Sequence, residues 1–284
     1  MKQILFILTL FAPVLFWSCN DEKIEMLPPY VFFTHDVDYY VMDGDNPNPA
    51  PYQIKGTVSA EGYIETVQLG SETIGRDSIG DETRFYFTYD VDIKGKTPFD
   101  VPFKCVDRLG NFDEKVFHFL GSQPIETYSV TLGAQNNSNY GFYFSFTDRK
   151  TYSVAEFENK LDDDGFCYGF NPQSNTPLLV SPTELVKQVI INRTGTRVSS
   201  FCGIIAVNSV SFTKASFDAM TNDAFMRNLN GSEFGTYAFN QIEAGKAYLV
   251  KSSAGLRGII YVTKIERGVA GSIELIIKLQ KNPA

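Results

Sequence analysis

The chain has 284 residues, with 25 basic against 33 acidic side chains and a formal net charge of −8. An acidic chain with no basic run argues against nucleic acid as a partner, because affinity there comes largely from Lys and Arg neutralising phosphates. A content of 43% hydrophobic and 14% aromatic residues is enough to fill real cores, and the length suggests two domains.

Met1-Lys2-Gln3 carries one positive charge and is followed by Ile4 to Trp17, apolar except for Thr9 and interrupted by Pro13. That stretch has the character of a secretory signal and falls short of the roughly 20 residues a membrane span needs. It ends Phe16-Trp17-Ser18-Cys19, which resembles the lipobox of bacterial lipoproteins. The resemblance implies a signal peptide over 1–18, cleavage before Cys19, lipidation of Cys19, and the membrane as a partner through that anchor. Two acyl chains already anchor a protein stably, at about 0.8 kcal/mol per buried methylene. Removal of 1–18 takes away Lys2 alone among charged residues, leaving 24 basic against 33 acidic and a net charge of −9. Asn20-Asp21-Glu22-Lys23 then resembles the surface-export signal of Bacteroidetes lipoproteins, which implies the outer face of the outer membrane. Residues 19–27 read as a lipidated tether.

From Pro28-Pro29 onward the signals are those of strands. Tyr52 to Val58 and Tyr63 to Leu69 flank a turn at Ser59-Ala60-Glu61-Gly62. Phe85, Phe87, Tyr89, Val91 and Ile93 alternate with Thr88, Asp90 and Asp92, and Val101, Phe103 and Cys105 alternate in the same way. Short alternating strands with regular turns over 28–123 read as a β-sandwich. Phe103 to Asn111, running into Asp107-Arg108-Leu109-Gly110-Asn111, resembles the last hairpin of bacterial immunoglobulin-like domains. No second cysteine lies near Ile54 to Val58, so the inter-sheet disulfide of antibody domains is absent and Cys105 reads as a core residue.

Ser122-Gln123-Pro124 reads as a linker to a second domain over 124–284, β-rich and of α+β type with two short helices. Tyr128 to Leu132 is a strand; Phe142, Phe144 and Phe146 alternate along the next. Ser153-Val154-Ala155-Glu156 is a capping box, opening a helix with Val154, Phe157 and Leu161 on one face. A second helix is predicted over Ser216 to Leu229 with Phe217, Met220 and Ala224 inward. Three strands close the chain as an antiparallel meander, the last with Ile273, Leu275, Ile277 and Leu279 facing in and Glu274 and Lys278 facing out. Leu132 to Ser138 and Gly245 to Lys251 resemble stretches of uncharacterised Bacteroidetes surface lipoproteins. The fold class expected overall is mainly β, an immunoglobulin-like β-sandwich followed by a β-rich α+β domain.

Few residues carry chemistry. Of four cysteines, Cys19 is committed to lipid, and two readings stand for Cys167 and Cys202: a disulfide within the second domain, or two buried thiols. Metal-ligand spacing is missing, so neither a metal nor another cofactor is expected. His35 and His118 lie in strands without a nucleophile motif and read as structural. Asp162-Asp163-Asp164-Gly165 reads as a solvated loop rather than paired glycosidase carboxylates, and Asp43-Gly44-Asp45-Asn46-Pro47-Asn48 as a loop rather than a calcium site, since Pro47 stands where an oxygen ligand belongs. Asp77-Ser78-Ile79 matches the Bacteroidetes O-glycosylation pattern, with Ser78 the acceptor. The binding candidates are Asn136, Asn137, Tyr140 and Tyr143 around a polar Asn-rich loop, as aromatic rings there can stack on sugars.

The expected function is that of a non-catalytic, membrane-anchored lipoprotein of the outer membrane, exposed at the surface, that binds a glycan or another ligand as an accessory or scaffold protein. The alternative is a structural or adhesion component with protein partners. A hydrolase is the third reading.

Overall fold

A computed structural model describes residues 26–34, 37–157, 164–181, 202–206, 212–229, 238–240 and 242–282, with 202–206 and 238–240 described as backbone. Residues 1–18, read above as a signal peptide, together with Cys19, His35, Leu161, Asp162, Asp163 and the Cys202 side chain, therefore lie outside the described residues. Among those described the protein is mainly β, arranged as several sheets with three short α-helices.

Two sheets form first. Strands β1 (Tyr30–Phe33), β3 (Tyr52–Ser59) and β6 (Arg84–Val91) are ordered β1-β3-β6. Strands β2 (Tyr39–Met42), β4 (Ile64–Leu69), β5 (Glu72–Gly75), β7 (Phe99–Asp107) and β8 (Phe112–Gly121) are ordered β2-β8-β7-β4-β5. The turn at 59–62 thus carries the chain from one sheet to the other, and β2 joins β8 in parallel.

The chain divides into two compact units. Unit 1 is the described part of Met1–Thr34 with Gly56–Phe87 and Phe103–Lys115; unit 2 is the described part of His35–Lys55, Thr88–Pro102 and Val116–Ala284.

Unit 1 is centred on Phe103, whose ring lies 5.1 Å from Phe33 and 5.3 Å from Phe87. Val67, Leu69 and Cys105 are buried with it, as their period-two spacing requires. The turn after β7 is held by one buried carboxylate. Asp107 accepts from the Leu109 and Asn111 backbone N–H groups at 2.9 and 2.8 Å and from Asn111 Nδ2 at 2.9 Å. Gly110 supplies the positive φ of +86° that this turn needs.

Unit 2 holds an aromatic cluster of Tyr52, Phe117 and Phe119 and a larger two-sheet sandwich. One sheet is ordered β11 (Thr151–Tyr152), β10 (Tyr143–Ser145), β12 (Gly165–Asn171), β13 (Thr176–Val180), β15 (Ala238–Asn240). The other is ordered β14 (Cys202–Ala206), β16 (Ala247–Ser252), β17 (Arg257–Glu266), β18 (Ser272–Gln280), β9 (Ile125–Gly133). Phe144, Phe166, Tyr168 and Leu179 from the first meet Tyr248, Val250, Ile260 and Ile277 from the second in a single core.

Both sheets are also covered on their outer faces. Tyr143, Cys167, Leu178 and Val180 pack with Phe157 of helix α1 (Val154–Phe157). Leu249 and Ile259 pack with Phe217 of α2 (Lys214–Ala219) and Met226 of α3 (Ala224–Asn228). A strand covered on both sides has no solvent face, so Phe142 to Phe146 are buried consecutively instead of alternating.

The capping box opens α1 as expected. The Ser153 backbone N–H donates to Glu156 Oε2 at 2.9 Å, and the Glu156 N–H to Ser153 Oγ at 3.3 Å. The helix expected over Ser216 to Leu229 is instead broken into α2 and α3. Thr221 to Asp223 leave the helix to bond the segment read as a linker: Ile125 N–H donates to the Thr221 carbonyl at 3.1 Å, Asp223 N–H to the Gln123 carbonyl at 2.9 Å, and Gln123 N–H to Asp223 Oδ1 at 2.7 Å. Asn and Asp side chains compete with helical hydrogen bonding in this way.

Lys278 corrects a second expectation. It points inward, with 6% of its surface exposed, and Nζ donates to the Asp218 and Met220 carbonyls at 2.9 and 2.6 Å. Arg257 of β17 does the same for α3, donating from Nη1 to the Met226, Arg227 and Leu229 carbonyls at 2.7, 3.1 and 3.0 Å. Two basic side chains from neighbouring strands therefore satisfy the carbonyl ends of two short helices.

Candidate ligand-binding site

The loop Gln135 to Gly141 carries the binding residues the sequence singles out, and the structure separates them. Tyr140 is 46% exposed, whereas Tyr143 is fully buried, its ring 4.9 Å from Phe157. Two rings cannot offer one stacking surface when one of them is core, so the aromatic pair is corrected to Tyr140 alone. Asn137 is spent on the loop itself. Its Nδ2 donates to the Ala270 and Gly271 carbonyls at 2.9 and 3.0 Å, and its Oδ1 accepts from the Asn139 and Tyr140 backbone at 2.9 and 3.2 Å. Asn136 is exposed and anchored by its backbone N–H on the Val269 carbonyl at 2.8 Å. Gln135 clamps the edge of β12 through Nε2 to the Phe170 carbonyl at 2.7 Å and from the Phe170 N–H to Oε1 at 3.0 Å.

The remaining candidates are dispersed. Cys167 is buried in the cluster under α1, and its pairing with Cys202 falls outside the described residues. Ser78 is exposed on a 3-10 turn over Arg76–Ser78, with Ile79 buried behind it. Asp164 accepts from Ser253 Oγ and from the Ala254 N–H, tying down the turn before β17. His118 Nδ1 lies 2.8 Å from Asp100 Oδ1. Groups of three or more His, Cys, Asp and Glu able to hold a metal are absent among the described residues.

A different place has the shape of a site. An open cleft of about 290 Å³ in unit 2 is lined by Asp43, Asp45, Phe212, Met220, Asn222 and Phe225 together with the exposed side of α2, a size near the lower end of ligand pockets. The helix break creates it. α2 stops at Ala219 and α3 starts at Ala224, and the rings of Phe212 and Phe225 stack at 4.7 Å in the lining. Asn222, freed from the helix, donates from one nitrogen, Nδ2, to Asp43 Oδ1 at 2.7 Å and Asp45 Oδ2 at 2.6 Å. Thr221 Oγ1 also donates to Asp45, and the Asp45 N–H donates to Asp43 Oδ1 at 3.0 Å. The charge of Asp43 reaches inward as well: the Tyr40 phenol is pushed up from its ordinary value by burial first and by Asp43 second.

On unit 1, the outer face of β1-β3-β6 exposes Tyr30, Phe32 and Tyr86 by 53, 45 and 69%. Lys115 Nζ bonds Tyr30 Oη at 3.2 Å and stands 4.3 Å from its ring centre.

Fold and cleft together define a mainly β protein of packed sheets with a small aromatic- and carboxylate-lined depression. Family models and curated proteins yield no match to the chain. Among solved structures it is similar to the crystal structure of a DUF4466 family protein from Parabacteroides merdae ATCC 43184, at 11% identity and a TM-score of 0.43, over 89% of this chain and 98% of that one.

Proposed function

We propose that the protein is a lipid-anchored lipoprotein of the outer membrane, exposed at the surface, that captures a glycan or another small ligand without turning it over. The anchor is Cys19 behind the signal at 1–18. Residues 28–123 act as an immunoglobulin-like spacer for the part that follows, 124–284, and also contribute Asp43 and Asp45 to the cleft. The order β1-β3-β6 beside β2-β8-β7-β4-β5, with β2 parallel to β8, supports the immunoglobulin-like reading. The observation that carries a binding role is the open cleft beside Asp43 and Asp45.

The test is capture of the purified full chain on a glycan array, combined with analysis of the captured glycans for cleavage. The expected outcome is capture without cleavage, lost on Phe225→Ala. Cleavage abolished by Asp43→Asn or Asp164→Asn overturns the non-catalytic reading.

The aromatic face of β1-β3-β6 favours a second reading, a structural or adhesion component that docks a protein partner. Phe32→Asp with Tyr86→Asp would abolish partner capture under that reading and leave glycan capture untouched.

A further inference from the structure

The charges at the cleft are unbalanced. Asp43 and Asp45 are drawn together by a single amide nitrogen, so two carboxylate oxygens sit within hydrogen-bond reach of one atom. Like charges that close repel, and the repulsion grows beside low-dielectric walls. Every donor the two carboxylates hold among the described residues is neutral: the Asn222 amide, the Thr221 hydroxyl and the Asp45 backbone N–H. The same cleft is lined by the stacked pair Phe212 and Phe225, with Met220 between the helices. Aromatic faces attract cations, and a thioether adapts to an irregular apolar body.

We infer that the cleft between the Asp43-Gly44-Asp45 turn and the Phe212–Phe225 wall binds an organic ammonium ion, its charge held at the two carboxylates and its apolar body against the rings. The inference rests on the reading of the cleft as the binding site and names the chemistry of its ligand. A divalent metal fits less well. Calcium takes six to eight oxygen ligands, and here two carboxylates have already given one oxygen each to neutral donors. An ammonium needs fewer acceptors, and it uses the aromatic wall that a hard metal ion would leave idle.

Titration calorimetry on the full chain in non-ionic detergent, with benzylammonium, benzyl alcohol and calcium as probes, tests this. Benzylammonium is expected to bind saturably and about tenfold more tightly than benzyl alcohol, with the advantage shrinking as salt rises. Asp45→Asn keeps an acceptor for Thr221 and Asn222 and should erase that advantage with the melting temperature held. Phe225→Leu should weaken both organic probes.

Equal binding of the two organic probes, sensitive to Phe225→Leu, keeps the cleft as a site and overturns its selectivity for cations. Calcium binding that depends on Asp43 and Asp45 and excludes benzylammonium overturns the organic ligand. Saturable binding by none of the three probes overturns the inference and removes the cleft as the site.

Discussion

The side-chain amide of Asn228, at the end of α3, completes the free edge of β2 at Val41. Oδ1 accepts from the Val41 N–H at 2.8 Å, and Nδ2 donates to the Val41 carbonyl at 2.8 Å. Val41 is fully buried on a strand at the sheet's edge, so these two groups have no strand partner on that side. Asn228→Ala is expected to lower stability by about 1–3 kcal/mol, the cost of leaving buried polar groups unmade. Asn228→Asp should be at least as damaging, since it loses the donor and sets a negative charge against the Val41 carbonyl. Chemical denaturation of both variants measures this, and an unchanged midpoint for Asn228→Ala would show that water replaces the amide.

Tyr140 and Tyr143 are separated by the same kind of measurement. Tyr143→Ala empties a fully buried position against Phe157 and should cost about 3–5 kcal/mol, as large-to-small core substitutions of aromatics do. Tyr140→Ala removes a half-exposed ring and should stay within about 0.5 kcal/mol of the parent. A mild Tyr143→Ala would mean that the sheet relaxes around the cavity.

Where one face of a strand meets solvent, its residues told on paper which way they point. Phe87 and Val91 are buried and Thr88 and Asp90 exposed, as the alternation requires, and Ser153 and Glu156 announced their own helix start. Tyr143 was misplaced because β10 is covered on both faces, which removes the alternation that distinguishes core from surface. Lys278 was misplaced for a related reason. A charge normally marks the solvent side, but this one serves the carbonyl end of α2. The cleft was illegible because its parts come from residues 43–45 and 212–225 and depend on a break inside a pattern with helical spacing. Thr221-Asn222-Asp223 was the one local signal available, three residues that compete for backbone hydrogen bonds.

Under the proposed lipid anchoring, Cys19→Ser is expected to move the protein from the membrane pellet to the soluble fraction, because acyl chains would then have no attachment at residue 19. Fractionation after a high-salt wash checks it. Continued pelleting would assign the anchor to another part of the chain.

Cys105 should be chemically silent in the folded protein. Its side chain is fully buried, and its pKa is pushed up to about 12, by burial first and by the negative charges of Asp107 and Asp113 after it. The reactive species is the thiolate, so alkylation at pH 8 followed by peptide mapping should leave Cys105 unmodified until denaturant is added. Rapid native-state labelling at Cys105 would reveal opening of unit 1 around β7.

Lys278 gives a pH dependence with a definite sign. Burial is the first cause lowering its pKa from the ordinary lysine value of 10.5, with Lys214 also lowering it and Asp218 opposing. The unfolded chain therefore holds this proton to higher pH than the folded one. Wherever the unfolded state binds more protons, stability rises with pH. The contribution of Lys278 should thus increase as pH climbs through its lowered folded value and level off above 10.5. At neutral pH, Lys278→Met removes the donor to the Asp218 and Met220 carbonyls and is expected to cost about 1–3 kcal/mol. The stability gap between the parent and Lys278→Met should then widen as the pH rises toward 10.5 and stay constant above it. Urea midpoints of the two proteins across that range decide the matter. A gap that narrows with rising pH would mean that the charged ammonium is favoured in the fold, and that the carbonyl ends of α2 outweigh the cost of burying it.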